Sequence, residues 1–595
     1  MPRRSPQIGS SGPPPRRDIP SIAVVAVFLV LLAGTGFFVA NALGPAPEPS
    51  RTPPGVAAGS GSPSPNGSEG PGEGQTGGPT DAAGSTGSGA PTGSGQPTTP
   101  TPGEPGASPS PSPSASPGDA SASPSASPSP SAGPQEIPIV PVVGFWSTAR
   151  GITTDELRAA LDGGSDDYPV VVVPAADRAA IGEALGITVS SAVRDGDADD
   201  VRAAFQESGL GLVRAGDVVP AMRALSIDGQ NLFGSDHVAA AADWPLTITD
   251  EVAAGEGWDD APTWTIVAGG DIMLDRGVAR QVTILEKGVD FPFDGGSAEI
   301  TGYTCCSGFG YEVPDYRRTG DDGAVRQLVT SADLAMANLE TGINRDFTYH
   351  SEGVTFTSDP RLLDGVQNAG IDWLSLANNH IRDGGPNSVL HAREELDARG
   401  ISYGGAGADL AEAEELSILE VEGRQVAVVA CDAIAGYYYA DEATVGSAPC
   451  GLRRTIPRIE AAREVADVVI VFPHWGVEYT ANPTANQRRV AAEWMAAGAD
   501  LVLGNHAHWT AAMEEIDENL VFYALGNFVF DQMWQEQTMQ GMLVELTFRG
   551  SELTQAWLHP TLVIDSAQPN FMDPATDGQI VLNRVREASR DLLSY

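Results

Sequence analysis

Five short segments carry side chains of the kinds that hold metal cations. They are Gly269-Gly270-Asp271-Ile272-Met273, Asn338-Leu339-Glu340-Thr341, Asn378-Asn379-His380 with Asp383-Gly384-Gly385 close behind, His474-Trp475-Gly476 with Glu478, and Gly504-Asn505-His506-Ala507-His508. Carboxylates can bridge two hard or borderline divalent cations, while neutral imidazoles and an amide oxygen complete each shell. Two such cations about 3.5–4 Å apart can activate a water between them and clamp a phosphoryl group during in-line displacement. No thiolate accompanies these groups, and Cys305, Cys306, Cys431 and Cys450 form no Cys-x-x-Cys pair. That argues against a structural zinc ribbon. Lys287 is the only lysine, so a phosphate loop of the GK[ST] kind is absent.

Each segment follows an apolar run that reads as a strand. The runs are Thr265–Ala268, Leu334–Ala337, Trp373–Ala377, Val468–Phe472 and Leu501–Leu503, with Val426–Ala430 and Leu520–Ala524 as further strands. Helical periodicity lies between most of them. In an open α/β sheet, ligands bind beyond the carboxyl ends of the strands. The spacing therefore predicts that the five segments converge on one crevice at one sheet edge. Duller roles exist for single members: Asp271 could cap a helix over Leu274–Leu285, and Asn378-Asn379 could form an Asx turn. His350, His391 and His559 read as hydrogen-bonded structural histidines, His237 as a surface residue, and Trp475 and Trp509 as packing walls.

The order Gly270-Asp271-x-Met273, Asn338-Leu-Glu340, Asn378-Asn-His380-x-x-Asp383-x-Gly385, His474-Trp-Gly-x-Glu478-Tyr479, Gly504-x-His506-x-His508 and Tyr523-Ala-Leu-Gly-Asn527-Phe528 resembles the signature of the CapA-like poly-γ-glutamate capsule proteins. That family is related to the calcineurin-like metallophosphoesterases. The resemblance covers residues 264–565 and implies a metallophosphatase-like layered α/β sandwich. It also implies one or two divalent metals (Mn, Zn or Fe). Carried over by position, Asp271, Glu340, Asn379, His474, His506 and His508 match metal ligands. His380 matches the histidine that assists the leaving group, and Asp383 and Glu478 fall on the catalytic side as orienting or substrate-facing groups. One departure from the phosphoesterase pattern is Met273, which stands where those enzymes place a ligand histidine; the CapA-like pattern also has methionine there.

The remainder of the chain sets the context. Acidic residues outnumber basic ones 78 to 34 for a formal charge of −44; such a body repels nucleic acid and suits divalent cations. Residues 1–21 read as a cytoplasmic tail with Arg3, Arg4, Arg16 and Arg17. Residues 22–43 are an uncharged apolar run whose helix would span about 33 Å, enough for a bilayer core of about 30 Å. Positive charge stays inside, so the body is expected outside the cytoplasm, at the cell membrane. A cleaved signal peptide ending near Ala40-Asn41-Ala42 is the alternative. Residues 44–136, rich in Pro, Ser and Gly, lack the apolar content to fold and read as a disordered tether. Residues 137–253 read as a small α/β domain, with a strand over Tyr168–Pro174 and helices over Arg178–Leu185 and Asp199–Ser208. Residues 566–595 read as a C-terminal helical tail. In an exported chain the cysteines suggest disulfides, with Cys431–Cys450 favoured.

Three functions fit. The resemblance implies a factor in synthesis, export or anchoring of poly-γ-glutamate or a related cell-envelope polymer, working with capsule-synthesis membrane proteins. The metal groups suit a phosphoesterase. A non-catalytic, metal-dependent binding module is the third. The cluster Arg453, Arg454, Arg458 and Arg463 is the best local basic patch for an anionic polymer.

Overall fold

The computed structural model describes residues 133–252, 258, 263–434 and 436–595. The tail 1–21, the apolar run 22–43 and the linker up to residue 132 lie outside the described residues. No helix among the described residues is long and apolar enough to cross a membrane. One linker boundary needs correction. Residues 133–136 belong to the strand Gly133–Gly144, where Gly133 to Pro138 pair antiparallel with Val252 to Thr247. Backbone pairing needs no apolar side chains, so the polar composition concealed it.

Residues 133–252 build a six-stranded mixed sheet. Its order is Arg194–Asp195, Val171–Val173, Leu210–Arg214, Gly133–Gly144 and Met222–Ala224, with Thr247–Val252 also on the long strand. Helices Thr154–Leu161, Arg178–Leu185 and Ala198–Ala204 accompany the sheet. Capping boxes at Thr153 and Asp197 start the first and third; each satisfies backbone donors that the first turn leaves orphaned.

Residues 263–571 form two large sheets rather than one. The ten-stranded sheet runs Val313–Gly320, Ser297–Thr304, Gln568–Phe571, Glu552–Ile564, Gln540–Arg549, Thr263–Ile272, Leu334–Leu339, Trp373–Ser375, Ser402–Gly404, with Asn527–Val529 also on Thr263–Ile272. The six-stranded sheet runs Ser417–Val421, Arg424–Asp432, Val468–His474, Leu501–Leu503, Asn519–Phe522, Met513–Ile516. The expectation of one sheet edge is thereby corrected. Alternation within single strands shows why. Trp264, Ile266 and Ala268 share one core with Val426, Val428 and Ala430 of the other sheet. Val267 and Ile272 instead pack with Val329, Leu363 and Val389, which come from helices. Ala427 and Val429 pack with Ile459 and Trp494 on the far side. Every central strand is apolar on both faces; the pattern cannot tell a helix-covered face from a sheet-covered one. The result is a four-layered mixed α/β arrangement with helices outside and two sheets within.

One correction concerns the C-terminal end. Gln568–Phe571 pairs with Glu552–Ile564, so the sheet continues past residue 565. The helix Gln579–Ala588 follows, and Leu592, Leu593 and Tyr595 pack against the cores. The cysteines pair as Cys431–Cys450 and Cys305–Cys306.

Candidate metal centre

Strand ends deliver the groups. Asp271 is the penultimate residue of Thr263–Ile272, and Glu340 directly follows Leu334–Leu339. Asn378, Asn379 and His380 come after Trp373–Ser375, His474 closes Val468–His474, and His506 and His508 lie just past Leu501–Leu503. Both sheets contribute. The close approach of chain segments needs glycine at two points: a Cβ on Gly270 would lie 1.8 Å from the Gly526 carbonyl oxygen, and one on Gly504 would lie 2.2 Å from that of Tyr523.

Two overlapping groups result. Ligand atoms of Glu340, His474 and His506 lie within 4.8 Å of one another, and so do those of Asp271, Glu340 and His508. Glu340 belongs to both. Asn379 joins the first group: its Oδ1 lies 2.7 Å from His474 Nε2, and His506 Nδ1 lies 3.2 Å from that same nitrogen. In the second group His508 Nδ1 sits 3.8 Å from Asp271 Oδ2 and 2.9 Å from Asn527 Oδ1. Asn338 donates to Asp271 Oδ1 at 2.8 Å, and the His506 backbone N–H donates to Oδ2 at 3.2 Å. Outer contacts of this kind fix the orientation of metal-binding groups.

The electrostatics favour a cation. Glu340 is fully buried and neither carboxylate oxygen has a hydrogen-bond partner. A buried acceptor left unmade is costly, and a buried unpaired charge more so. Burial first, then neighbouring Asp271, pushes the Glu340 carboxyl well above its ordinary range. Burial also raises Asp271, against the opposing bonds from Asn338 and His506. Burial lowers the three histidines: His474 and His506 fall well below the usual imidazole value, and His508 falls to about 4. Lowered in this way, they are neutral at physiological pH, the state in which an imidazole can hold a metal. His506 (φ 90°) and His508 (φ 56°) occupy the left-handed backbone region. For non-glycine residues this costs of order 1–3 kcal/mol and clusters at functional sites. These buried carboxylates and histidines fit a divalent metal.

The remaining candidate residues lie around this cluster. His380 Nδ1 is 2.7 Å from Asp383 Oδ2, and its Nε2 points toward Glu340 Oε1 at 3.8 Å. Glu478 is exposed at the surface, and burial of its carboxyl by its surroundings raises it. Met273 is fully buried against Phe356 and Phe530, and its sulfur accepts the Asp275 N–H at 3.1 Å. Met273 is thus an apolar plug beside the cluster. Helix capping at this point falls to Asp275, whose side chain accepts the Arg276 N–H, so Asp271 is released from that role. His350 pairs with Asp275 at 2.9 Å, His559 with Glu545 at 2.9 Å, and His237 with the Gly234 carbonyl at 2.7 Å. His391 departs from its assigned class: its Nδ1 is buried without a hydrogen-bond partner.

Residue-level reading missed four participants. Asn338 and Asn527 stand inside the motifs, yet only the fold shows that they hold Asp271 and His508. Asp275, and Tyr438 whose hydroxyl donates to Asp383 Oδ1, carried no spacing signal. The basic patch also dissolves. Arg454 pairs with Glu414, Arg463 with Asp500, and buried Arg458 donates to the Ala430 carbonyl. Only Arg453 of the four stays exposed without such a partner. The four lie along one helix, Leu452–Arg463, and its turn places them on different faces.

Residues 265–532 match the family model described as bacterial capsule synthesis protein PGA_cap. Over that segment the chain is similar to the CapA-like capsule proteins. The PGA biosynthesis protein CapA of Bacillus subtilis is 29% identical over 225 residues, covering 37% of this chain and 59% of that protein. The capsule biosynthesis protein CapA of Bacillus anthracis is 28% identical over 244 residues, covering 39% and 59%. A probable polyglutamine synthesis accessory protein of Mycobacterium tuberculosis is 26% identical over 291 residues, covering 45% and 74%. The CapA-like match thus spans about three-fifths of each Bacillus protein. Among solved structures, the NAD nucleotidase of Haemophilus influenzae (11% identity, 51% and 56% coverage, TM-score 0.31) and a 5'-nucleotidase precursor from Thermus thermophilus (12%, 55% and 59%, TM-score 0.30) are similar to the chain. At those TM-scores the likeness decides nothing about chemistry.

Proposed function

We propose that this CapA-like protein works outside the cytoplasm, tethered through residues 22–43, in the synthesis, export or anchoring of poly-γ-glutamate or a related envelope polymer. We further propose a divalent-metal centre of metallophosphoesterase type as its working part. The carrying observation is Glu340: buried, shared by two ligand groups, with both oxygens unpartnered. The disulfides suit an oxidising compartment.

A bound divalent cation would supply Lewis-acid polarisation and a lowered water pKa. Asp271, Glu340 and His508 would hold one ion, and Glu340, Asn379, His474 and His506 the other. Asn338 and Asn527 keep Asp271 and His508 aimed. His380 stands ready to hand a proton from Nε2 to a departing oxygen or nitrogen, with Asp383 supporting Nδ1. The His380–Asp383 pair favours hydrolysis over passive binding, because a metal-holding remnant has no use for an oriented proton donor. With the arginine cluster occupied, bound metal is also the best counter-charge for an anionic polymer in this acidic body.

Metal analysis of the purified chain, coupled to a screen of phosphoesters and polyglutamyl substrates, tests both parts. Expected are stoichiometric metal and turnover that His380→Ala lowers by about 10²–10⁴-fold. Metal without turnover on any substrate would favour the binding module; absence of metal would sink the centre itself.

A further inference from the structure

Asp383 receives more than His380. Its Oδ2 accepts from His380 Nδ1 and from the Phe356 backbone N–H, each at 2.7 Å. Its Oδ1 accepts from the Tyr438 hydroxyl. Tyr438 ends the short turn Gly436–Tyr438, inside the loop that Cys431–Cys450 closes.

That loop is stitched down at several points. Ser447 Oγ donates to Asp432 Oδ2 at 2.9 Å, and the Cys450 N–H donates to the Asp432 carbonyl at 2.9 Å. Gly446–Ser447 pairs with Ala406–Gly407. A Cβ on Gly446 would come within 2.2 Å of the Tyr438 carbonyl oxygen, so the turn lies directly against this short strand. From the other side, Arg382 Nη1 donates to the Tyr437 carbonyl at 3.3 Å. The imidazole is fixed on a face as well: Phe356 stacks on His380 at 4.1 Å, and the Arg276 guanidinium lies 4.5 Å from the Phe356 ring centre.

We propose that Tyr438 is a positioning residue for His380, acting through Asp383, and that the Cys431–Cys450 loop exists in part to deliver it. This rests on the reading of His380 as a proton donor. A carboxylate held at one oxygen only can rotate and trade oxygens. The Tyr438 hydroxyl occupies the second oxygen and removes that freedom, leaving Nε2 aimed at the metal crevice. Burial and the adjacent Asp383 also raise the Tyr438 hydroxyl, so it remains a donor.

The test uses the full chain labelled with ¹⁵N-histidine, whose eight histidines keep the spectrum simple; His380→Gln assigns the signal. In the wild type the His380 Nδ1–H is expected to be protected from solvent exchange by its bond to Asp383. Tyr438→Phe keeps the ring and is expected to speed that exchange about 10-fold, the equilibrium worth of one hydrogen bond. Cys450→Ser is expected to act in the same direction, and Asp383→Asn more strongly. With a phosphodiester substrate, Tyr438→Phe is expected to lower kcat about 10-fold with KM unchanged, the mark of a group needed only in the transition state. Exchange and kcat both at wild-type values in Tyr438→Phe, with Asp383→Asn still altered, would overturn the proposal. A wild type without turnover defeats the hydrolytic reading but not this one, since proton exchange alone then decides it.

Discussion

Two buried glutamates in the same ten-stranded assembly have opposite fates. Glu545, in the strand Gln540–Arg549, accepts from His559 at 2.9 Å and from the Ser235 backbone and hydroxyl at 2.7 Å each. Although burial works against it, these bonds pull its carboxyl down to about 2. Glu340 has a similar burial and no hydrogen-bond partner, and its carboxyl rises. Both have histidines near them, yet only Glu545 is satisfied by protein. Burial alone therefore does not mark a functional acid; burial without a partner, beside a second carboxylate and neutral imidazoles, does.

The comparison can be broken most forcefully at Glu340. Saturating Mn²⁺ or Zn²⁺ at 1,000 times Kd is expected to stabilise the wild type by about 4 kcal/mol, read as a rise in thermal midpoint. Glu340→Gln is expected to abolish that rise, and in metal-stripped protein to be neutral or stabilising because it replaces a buried carboxyl that no protein group satisfies. Glu545→Gln is expected to cost about 3 kcal/mol with or without metal, since it leaves a buried partner behind. Equal losses in the two variants would erase the distinction.

Opening the Cys431–Cys450 link is expected to cost about 3 kcal/mol, as for a closed loop of similar length. Denaturant unfolding of the double serine variant measures it. The pH response sharpens the comparison further. Glu545 is depressed in the folded state, so its contribution is complete above the ordinary carboxylate value of 4.5 and is lost as pH falls toward about 2. Acid unfolding of wild type and Glu545→Gln should therefore differ at pH 5 and converge near pH 2. The smallest effect is expected at the surface: Arg454→Ala, which breaks an exposed pair with Glu414, should change stability by under about 1 kcal/mol. It should also leave polymer retention intact.

Much of the site was legible because chemistry concentrates where strands end. Asp271, Glu340, Asn379, His474, His506 and His508 stand at or just past apolar runs that do form strands, and the motif order located them together. The Cys431–Cys450 pair was legible too. Asn338 and Asn527 were visible as letters without a role, since an amide can serve a turn, a cap or a carboxylate equally well. Tyr438 was not legible: it lies 55 residues from Asp383, and a tyrosine run inside a loop carries no period. The arginine cluster misled because adjacency in sequence spreads residues around a helix, and their acidic partners Glu414 and Asp500 sit on other elements.

Local pattern determined which residues become strands, where those strands stop, and that carboxylates, amides and imidazoles gather after them; these are short-range matters of polarity and backbone preference. Only the tertiary structure decided that two sheets, stacked face to face, share the crevice, that Glu340 is left without a protein partner while Glu545 is not, and that a disulfide-closed loop reaches Asp383. Those outcomes depend on which faces meet across the core, and a strand apolar on both sides does not encode its neighbour.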